Sequence, residues 1–279
     1  MRRVSLWQSW RVPGKLRLQG PFIAISFSFN QGDIMASNAI ARANSERRFY
    51  TGMAIFMIAM VLVGFAPSFY FRGLVSYPRP NPTLNPLVLL HGLVFSAWMT
   101  LFLVQTRLVA ANRRDVHMQL GRWGMILAIA MVPLMIATTI GQVARANQPP
   151  MFTPLGWTAV PAFVIPVFAA LVWAGWRYRR EPQAHKRLML GAALMMMDPS
   201  IGRFPIFPPT ELGTHLSDFA GWAPFLALFV WDWRTLGRLH WATLYGAGLF
   251  GLALVLRSFA LTSPLWESWA GSVVRLAGG

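Results

Sequence analysis

Three histidines occur in the same local setting. His117 follows Arg107, Arg113 and Arg114; His185 follows Arg177, Arg179 and Arg180; His240 follows Arg234 and Arg238. Each opens an apolar run, and each is followed within one to two helical turns by a glycine: Gly121, Gly191 and Gly246. Neutral imidazole is the commonest metal ligand among side chains. Two imidazoles from different helices can hold the iron of a b-type haem, with a neighbouring glycine admitting the porphyrin face. Three can hold a divalent metal ion. His117, His185 and His240 are therefore the candidate haem- or metal-binding residues, and a redox role is the expectation that goes with them. A plainer alternative stands beside it. A histidine where a membrane helix begins meets lipid phosphates and water, and a hairpin repeated three times would copy it along with its arginines.

A second set of polar residues lies deeper in apolar sequence. His91 sits roughly 6 Å inside the outer end of its apolar run by helix rise. Asp198 falls roughly 16 Å from the inner end of its run, and Pro199 follows it directly. Proline removes a backbone donor and clashes with the preceding turn, so the helix should kink or unwind there. An ionisable residue within a membrane span is a functional candidate by default, and broken helices with a charge at the midplane build many transport sites. Gln142, Arg203 and Arg257 are expected at a depth similar to His91, with Asp198 below them. Together the five could floor a polar pocket open to the outer side, suited to a small solute or a proton. The competing reading is a buried pair in which Asp198 and Arg257, or Arg203, only neutralise each other. A third is a structural or assembly subunit with no activity of its own.

The elements that must position these residues are legible in the composition. Of 279 residues, 55% are hydrophobic and only 12% charged, and the mean hydropathy is +0.46. Soluble domains carry about 25% charged residues, so the expectation is an all-α integral membrane protein with the lipid bilayer as its partner. The net charge of +16 does not point to nucleic acid, because no soluble stretch interleaves basic and aromatic residues. Without cysteine, disulfides, thiolate metal sites and cysteine nucleophiles are excluded. There is no G-x-S-x-G, P-loop, H-E-x-x-H or G-x-G-x-x-G motif, so no reaction is assigned.

Seven apolar segments follow one another at about 50–71, 87–110, 121–143, 155–176, 187–206, 219–235 and 242–262. Each is near the ~20 residues needed to cross ~30 Å of hydrocarbon. They make one leading helix and three helical hairpins, joined by short connections. Pro78, Pro80, Pro82 and Pro86 predict an extended first loop; Pro149, Pro150 and Pro154 predict the same for the third. With the N-terminus inside, 19 of the 25 lysines and arginines fall on the inner side and six on the outer: Arg72, Arg79, Arg145, Arg203, Arg257 and Arg275. Positive charge accumulates on the cytoplasmic side, which predicts an N-inside, C-outside protein. Trp123, Trp157, Trp173, Trp176, Trp231, Trp233 and Trp241 lie near predicted span ends, as an interfacial aromatic belt requires. Residues 1–34 read as an extension outside the membrane domain of 35–279. Their apolar run, Phe22–Phe29, is too short to span a bilayer. Codons for Gln31-Gly32-Asp33 can contain a purine-rich ribosome-binding sequence just before Met35, so Met35 is the expected start of translation.

The segments LHGLVFSAW (90–98), HMQLGRWG (117–124), AHKRLMLGAALMMMDPSIGRFP (184–205) and GRLHWATLYG (237–246) resemble a family of uncharacterised bacterial polytopic inner-membrane proteins. The resemblance covers about residues 50–260 and implies a multi-pass protein of the bacterial inner membrane. At the level of fold, the histidine-bearing hairpins are loosely similar to those of membrane b-type cytochromes and haem A synthase.

Overall fold

In the computed structural model the described residues are 31–74 and 83–278. The run Phe22–Phe29 and the prolines at 78, 80 and 82 lie outside them. The chain divides into two units, Met1–Arg42 and Ala43–Gly279. Of the first, residues 31–42 are described, as the opening turns of a helix whose described side chains are exposed. The second unit carries everything that follows.

The protein is all-helical, with no strand among the described residues. Helix α1 (Gln31–Phe65) runs into a π-turn at Ala66–Tyr70, where Pro67 removes a backbone donor. Helix α2 (Pro86–Ala110) starts at the Asn85 cap, whose side chain accepts from Val88 N–H at 2.9 Å. A tight elbow at Asn112, in the left-handed region at φ 59°, turns the chain into α3 (Arg114–Arg145). Helix α4 (Ala159–Arg177) continues a 3-10 turn at Gly156–Thr158, and α9 (Trp241–Ala260) follows His240. Among the described residues, five helices are long and apolar enough to cross a membrane: Met35–Tyr70, Pro86–Ala110, Arg114–Arg145, Gly156–Arg177 and Trp241–Ala260.

The other two expected spans are built from pieces. The stretch expected at 187–206 is α5 (Pro182–Leu194), a 3-10 turn at Met195–Met197, and α6 (Asp198–Ile201). Pro199 has tightened the turn before it rather than unwinding the helix. The stretch expected at 219–235 is α7 (Glu211–Trp222) and α8 (Pro224–Leu236), which part at Pro224. Helix α7 is capped by Thr210, whose hydroxyl accepts from Gly213 N–H at 3.1 Å. A further helix, α10 (Pro264–Leu276), was not anticipated; Ser263 caps it and Pro264 occupies its first turn, both favourable there.

Packing separates the helices into two kinds. Around α4, α5 and α9 the core is closed: Phe168, Leu171, Leu188, Leu190, Leu194, Phe225 and Phe250 have no exposed surface. In α2, α3 and the outer face of α9, large apolar side chains such as Leu93, Ile126, Ile129, Val255 and Phe259 are exposed. An apolar surface of that extent is unstable in water and natural in hydrocarbon, where no backbone donor is left unpaired along a helix.

Candidate functional site

Arg257 on α9 is buried, and it meets two carboxylates rather than one. Its Nη1 donates to Asp198 Oδ2 at 2.7 Å and its Nη2 to Asp198 Oδ1 at 3.0 Å. Its Nε donates to Asp218 Oδ2 at 3.3 Å, and Nη2 also donates closely to Asp218 Oδ1. The planar fork of a guanidinium matches a carboxylate edge on each side. The side chains are 3% exposed for Arg257, 5% for Asp198 and 9% for Asp218. Three elements converge here: α6, α7 and α9. Their approach depends on Gly221, because a Cβ there would lie 2.6 Å from Asp198 Oδ1 and 3.1 Å from Asp198 Cβ. Trp222 Nε1–H donates to the Ala247 carbonyl at 2.9 Å and fixes α7 against α9 beside the cluster.

A second network joins α5, α8 and α9. Arg187 on α5 donates through Nε and Nη2 to Asp232 Oδ1 at 2.8 and 2.6 Å. The other oxygen of Asp232 accepts from Thr243 Oγ1 at 2.6 Å and from His240 N–H at 3.0 Å. The remaining Arg187 nitrogen, Nη1, donates to the Gln183 carbonyl at 2.9 Å and to Gln183 Oε1 at 2.7 Å. Exposure is 1% for Arg187 and 0% for Asp232. Sequence reasoning placed Arg187 among the charges of an inner loop; it is instead a core residue with a full set of acceptors. Asp232 and Asp218 were both missed. Asp232 lies inside the expected 219–235 span, where the rule for intramembrane charges singles it out; Asp218 falls one residue before that span.

The three histidines do not form one site. The rings of His117 and His185 come together, with centroids 6.3 Å apart and planes at 82°. His185 Nδ1–H donates to the Gly175 carbonyl at 2.8 Å. His240 stands in the second network, as the cap of α9: its Nδ1 accepts from Ala242 N–H at 3.1 Å. Burial among Arg187, Lys186 and Arg238 lowers its pKa below the ordinary imidazole value, with Asp232 acting in the opposite sense. Among the described residues no three His, Asp or Glu side chains are placed to hold a metal ion. Two of the three glycines expected to admit a porphyrin, Gly191 and Gly246, face packed side chains instead. A Cβ at Gly191 would meet the Phe225 ring at 3.4 Å, and one at Gly246 would meet that ring at 3.4 Å and Gly191 Cα at 4.0 Å. These two glycines are where α5 and α9 cross.

The outer polar set is also divided. His91 stacks on Phe95 with centroids 4.0 Å apart, and its Nδ1 lies 3.4 Å from Thr138 Oγ1. Arg203 donates to the Pro199 carbonyl and lies 4.2 Å over the Phe65 ring. The buried Gln142 amide nitrogen has no hydrogen-bond partner among the described residues. No hydrogen bond among the described residues joins His91 or Gln142 to Asp198 or Arg257. The cluster that does form took Asp198 and Arg257 from that set and added Asp218. No protein-family model, curated protein or solved structure matches the chain.

Proposed function

We propose that this is a multi-pass protein of the bacterial inner membrane that carries a proton, coupled to a small solute, at the Asp198–Arg257–Asp218 cluster. The reading supposes seven spans with the N-terminus inside. Five come from the long apolar helices, and two are the broken segments 182–201 and 211–236. Taking the buried Arg187 and Arg257 out of the charge count leaves the inner excess of positive loops in place. Broken spans that meet at mid-depth around an ionisable group are the usual construction of a transport site.

One observation carries the proposal: two buried carboxylates share a single guanidinium. With all three groups ionised the cluster holds a net negative charge in a low-dielectric setting, where an unbalanced charge is costly. A bound proton removes that imbalance. Like charges on one site cannot both ionise freely, so one carboxyl retains a proton that the other gives up. His215 is exposed on α7, three residues and so about one helical turn before Asp218, and is the group through which the proposal passes the proton to the surface.

The test is infrared difference spectroscopy of the full chain in liposomes over a pH titration. A protonated, buried carboxyl band is expected in the wild type and absent in Asp218→Asn. A wild type that shows no protonated carboxyl at any pH near neutrality overturns the proposal. Topology is tested separately: a periplasm-active reporter should work after Gly279 and fail after Arg114 and Arg180. Activity after Arg180 ends the seven-span reading.

A further inference from the structure

Helix α8 presents two faces. Phe225, Leu228 and Asp232 recur at helical spacing and are buried inside the bundle. Leu226, Val230 and Arg234, each one turn after the last on another face, are exposed. With Ala227, Trp231 and Phe49 of α1 they line a groove of about 360 Å³, within the ~300–1,000 Å³ of small-molecule sites. Phe49 stacks on Trp231, with ring centroids 4.4 Å apart and planes at 9°, and this stack joins α1 to α8 along the groove. From Leu226 to Arg234 the helix rises about 12 Å. The groove is therefore apolar for two turns and ends on a guanidinium.

Charge specifies the occupant. No ion pair among the described residues involves Arg234. The carboxylates nearest the lining residues in sequence are already taken, Glu46 by Lys186 at 2.6 Å and Asp232 by Arg187 at 2.6 Å. Arg48, beside Phe49, and Arg238, past the Gly237 cap of α8, are exposed as well. An anion that meets this rim has to come from outside the chain. A free phosphate would satisfy the arginine and leave the two apolar turns unused, and a plain hydrocarbon would do the reverse. A phospholipid brings both parts in one molecule. Basic pockets between membrane helices on the cytoplasmic side bind anionic lipid headgroups, and Arg234 stands on that side when the N-terminus is inside.

We propose that the α1–α8 groove binds one anionic diacyl phospholipid of the inner leaflet. An acyl chain lies along Leu226, Ala227 and Val230, and the fork of Arg234 takes two oxygens of the phosphate. The proposal rests on the membrane reading above with its N-inside orientation, and owes nothing to the proton cluster.

The experiment titrates the delipidated full chain in detergent with phosphatidylglycerol and, separately, with phosphatidylcholine of the same acyl chains. Bound lipid is counted by native mass spectrometry. One phosphatidylglycerol per chain is expected, with phosphatidylcholine binding roughly fivefold more weakly, the factor one basic group contributes beside an anionic lipid. Arg234→Gln should weaken phosphatidylglycerol by about that factor and abolish the preference. Val230→Trp, which fills the groove, should weaken both lipids, and Ala227→Phe gives the same comparison if that variant fails to fold. Arg122→Gln, at an exposed position on α3, should change neither. Equal retention of the two lipids by the wild type overturns the proposal, as does a preference that survives Arg234→Gln or binding untouched by a filled groove. A dimer of the chain that excludes lipid from this face overturns it too. Headgroup preference in detergent is read without reference to leaflet, so its failure is distinguishable from failure of the topology reporters or of the infrared titration.

Discussion

Around Asp232 one guanidinium meets one carboxylate; around Arg257 one guanidinium meets two. The two networks join the same parts of the chain, since each links the α5–α6 segment, the α7–α8 segment and α9. In the first, every oxygen of the carboxylate is taken by Arg187, Thr243 and the His240 backbone, and the charges cancel. Such a pair holds helices in register, and a proton has nothing to do there. In the second, the fork of Arg257 is saturated on both edges, and with both carboxyls ionised one negative charge is left over. Burial is nearly the same in both, so it does not distinguish them. The distinction lies in the charge count.

The largest effects should come from the two arginines. Arg187→Leu leaves one buried carboxylate without its cation, a change worth about 3–5 kcal/mol. Arg257→Leu leaves two and should cost more, read as the greater loss in melting temperature in detergent. Replacing Arg187 and Asp232 together by leucine should recover most of the first loss. For Arg257 the recovery should require removal of both aspartates. Equal damage from the two single variants would contradict the difference in charge count.

The sharpest contrast lies between the carboxylates. Asp232→Asn should destabilise by about 3–5 kcal/mol, because it leaves Arg187 buried and unbalanced. Asp218→Asn leaves the neutral Asp198–Arg257 pair and should change the melting temperature little, while flattening its dependence on pH. If Asp218→Asn is as damaging as Asp232→Asn, both clusters are structural pairs. A smaller effect is expected from Gly221→Ala, whose new methyl meets the Asp198 carboxylate; about 1–3 kcal/mol of overpacking should follow, with no counterpart near Asp232.

The smallest effect concerns His240. Its folded-state pKa is lowered, so its contribution is complete above the unfolded value of about 6.5 and is lost as the pH falls below that. Protonation removes the Nδ1 acceptor that caps α9, a cap worth about 1 kcal/mol. The melting temperature of the wild type should therefore decline below pH of about 6.5 more steeply than that of His240→Asn, whose side chain caps without titrating.

Much of this was readable from sequence, and what was not has a physical reason. The bounds of α2, α4 and α9 follow from unbroken apolar runs with prolines or charges at their ends. Asp198 stood out because a charge beside a proline is unusual in such a run, and Arg257 was one of its two expected partners. Asp218 did not stand out, since its neighbours Thr214, His215 and Ser217 read as a polar loop. Arg187 was hidden among the elbow charges at 177–187, where nothing in the local pattern separates a buried arginine from an exposed one. The break at Pro224 was masked by the apolar residues on both sides of it. The grouping of His117 with His185, and not with His240, depends on which helices become neighbours, which no single-chain periodicity records.

Both networks close late in synthesis. Arg187 precedes Asp232 by 45 residues, and Asp198 precedes Arg257 by 59. A ribosome that has delivered the chain as far as α8 has already placed Asp198 and Asp218 with no cation opposite them. Helix α9 brings Arg257 and the Thr243 hydroxyl together, completing both sites in one step. Chains that stall or are cut before α9 should therefore be the ones a membrane protease removes, and arrival of α9 is the event that turns a degradable intermediate into a lasting protein.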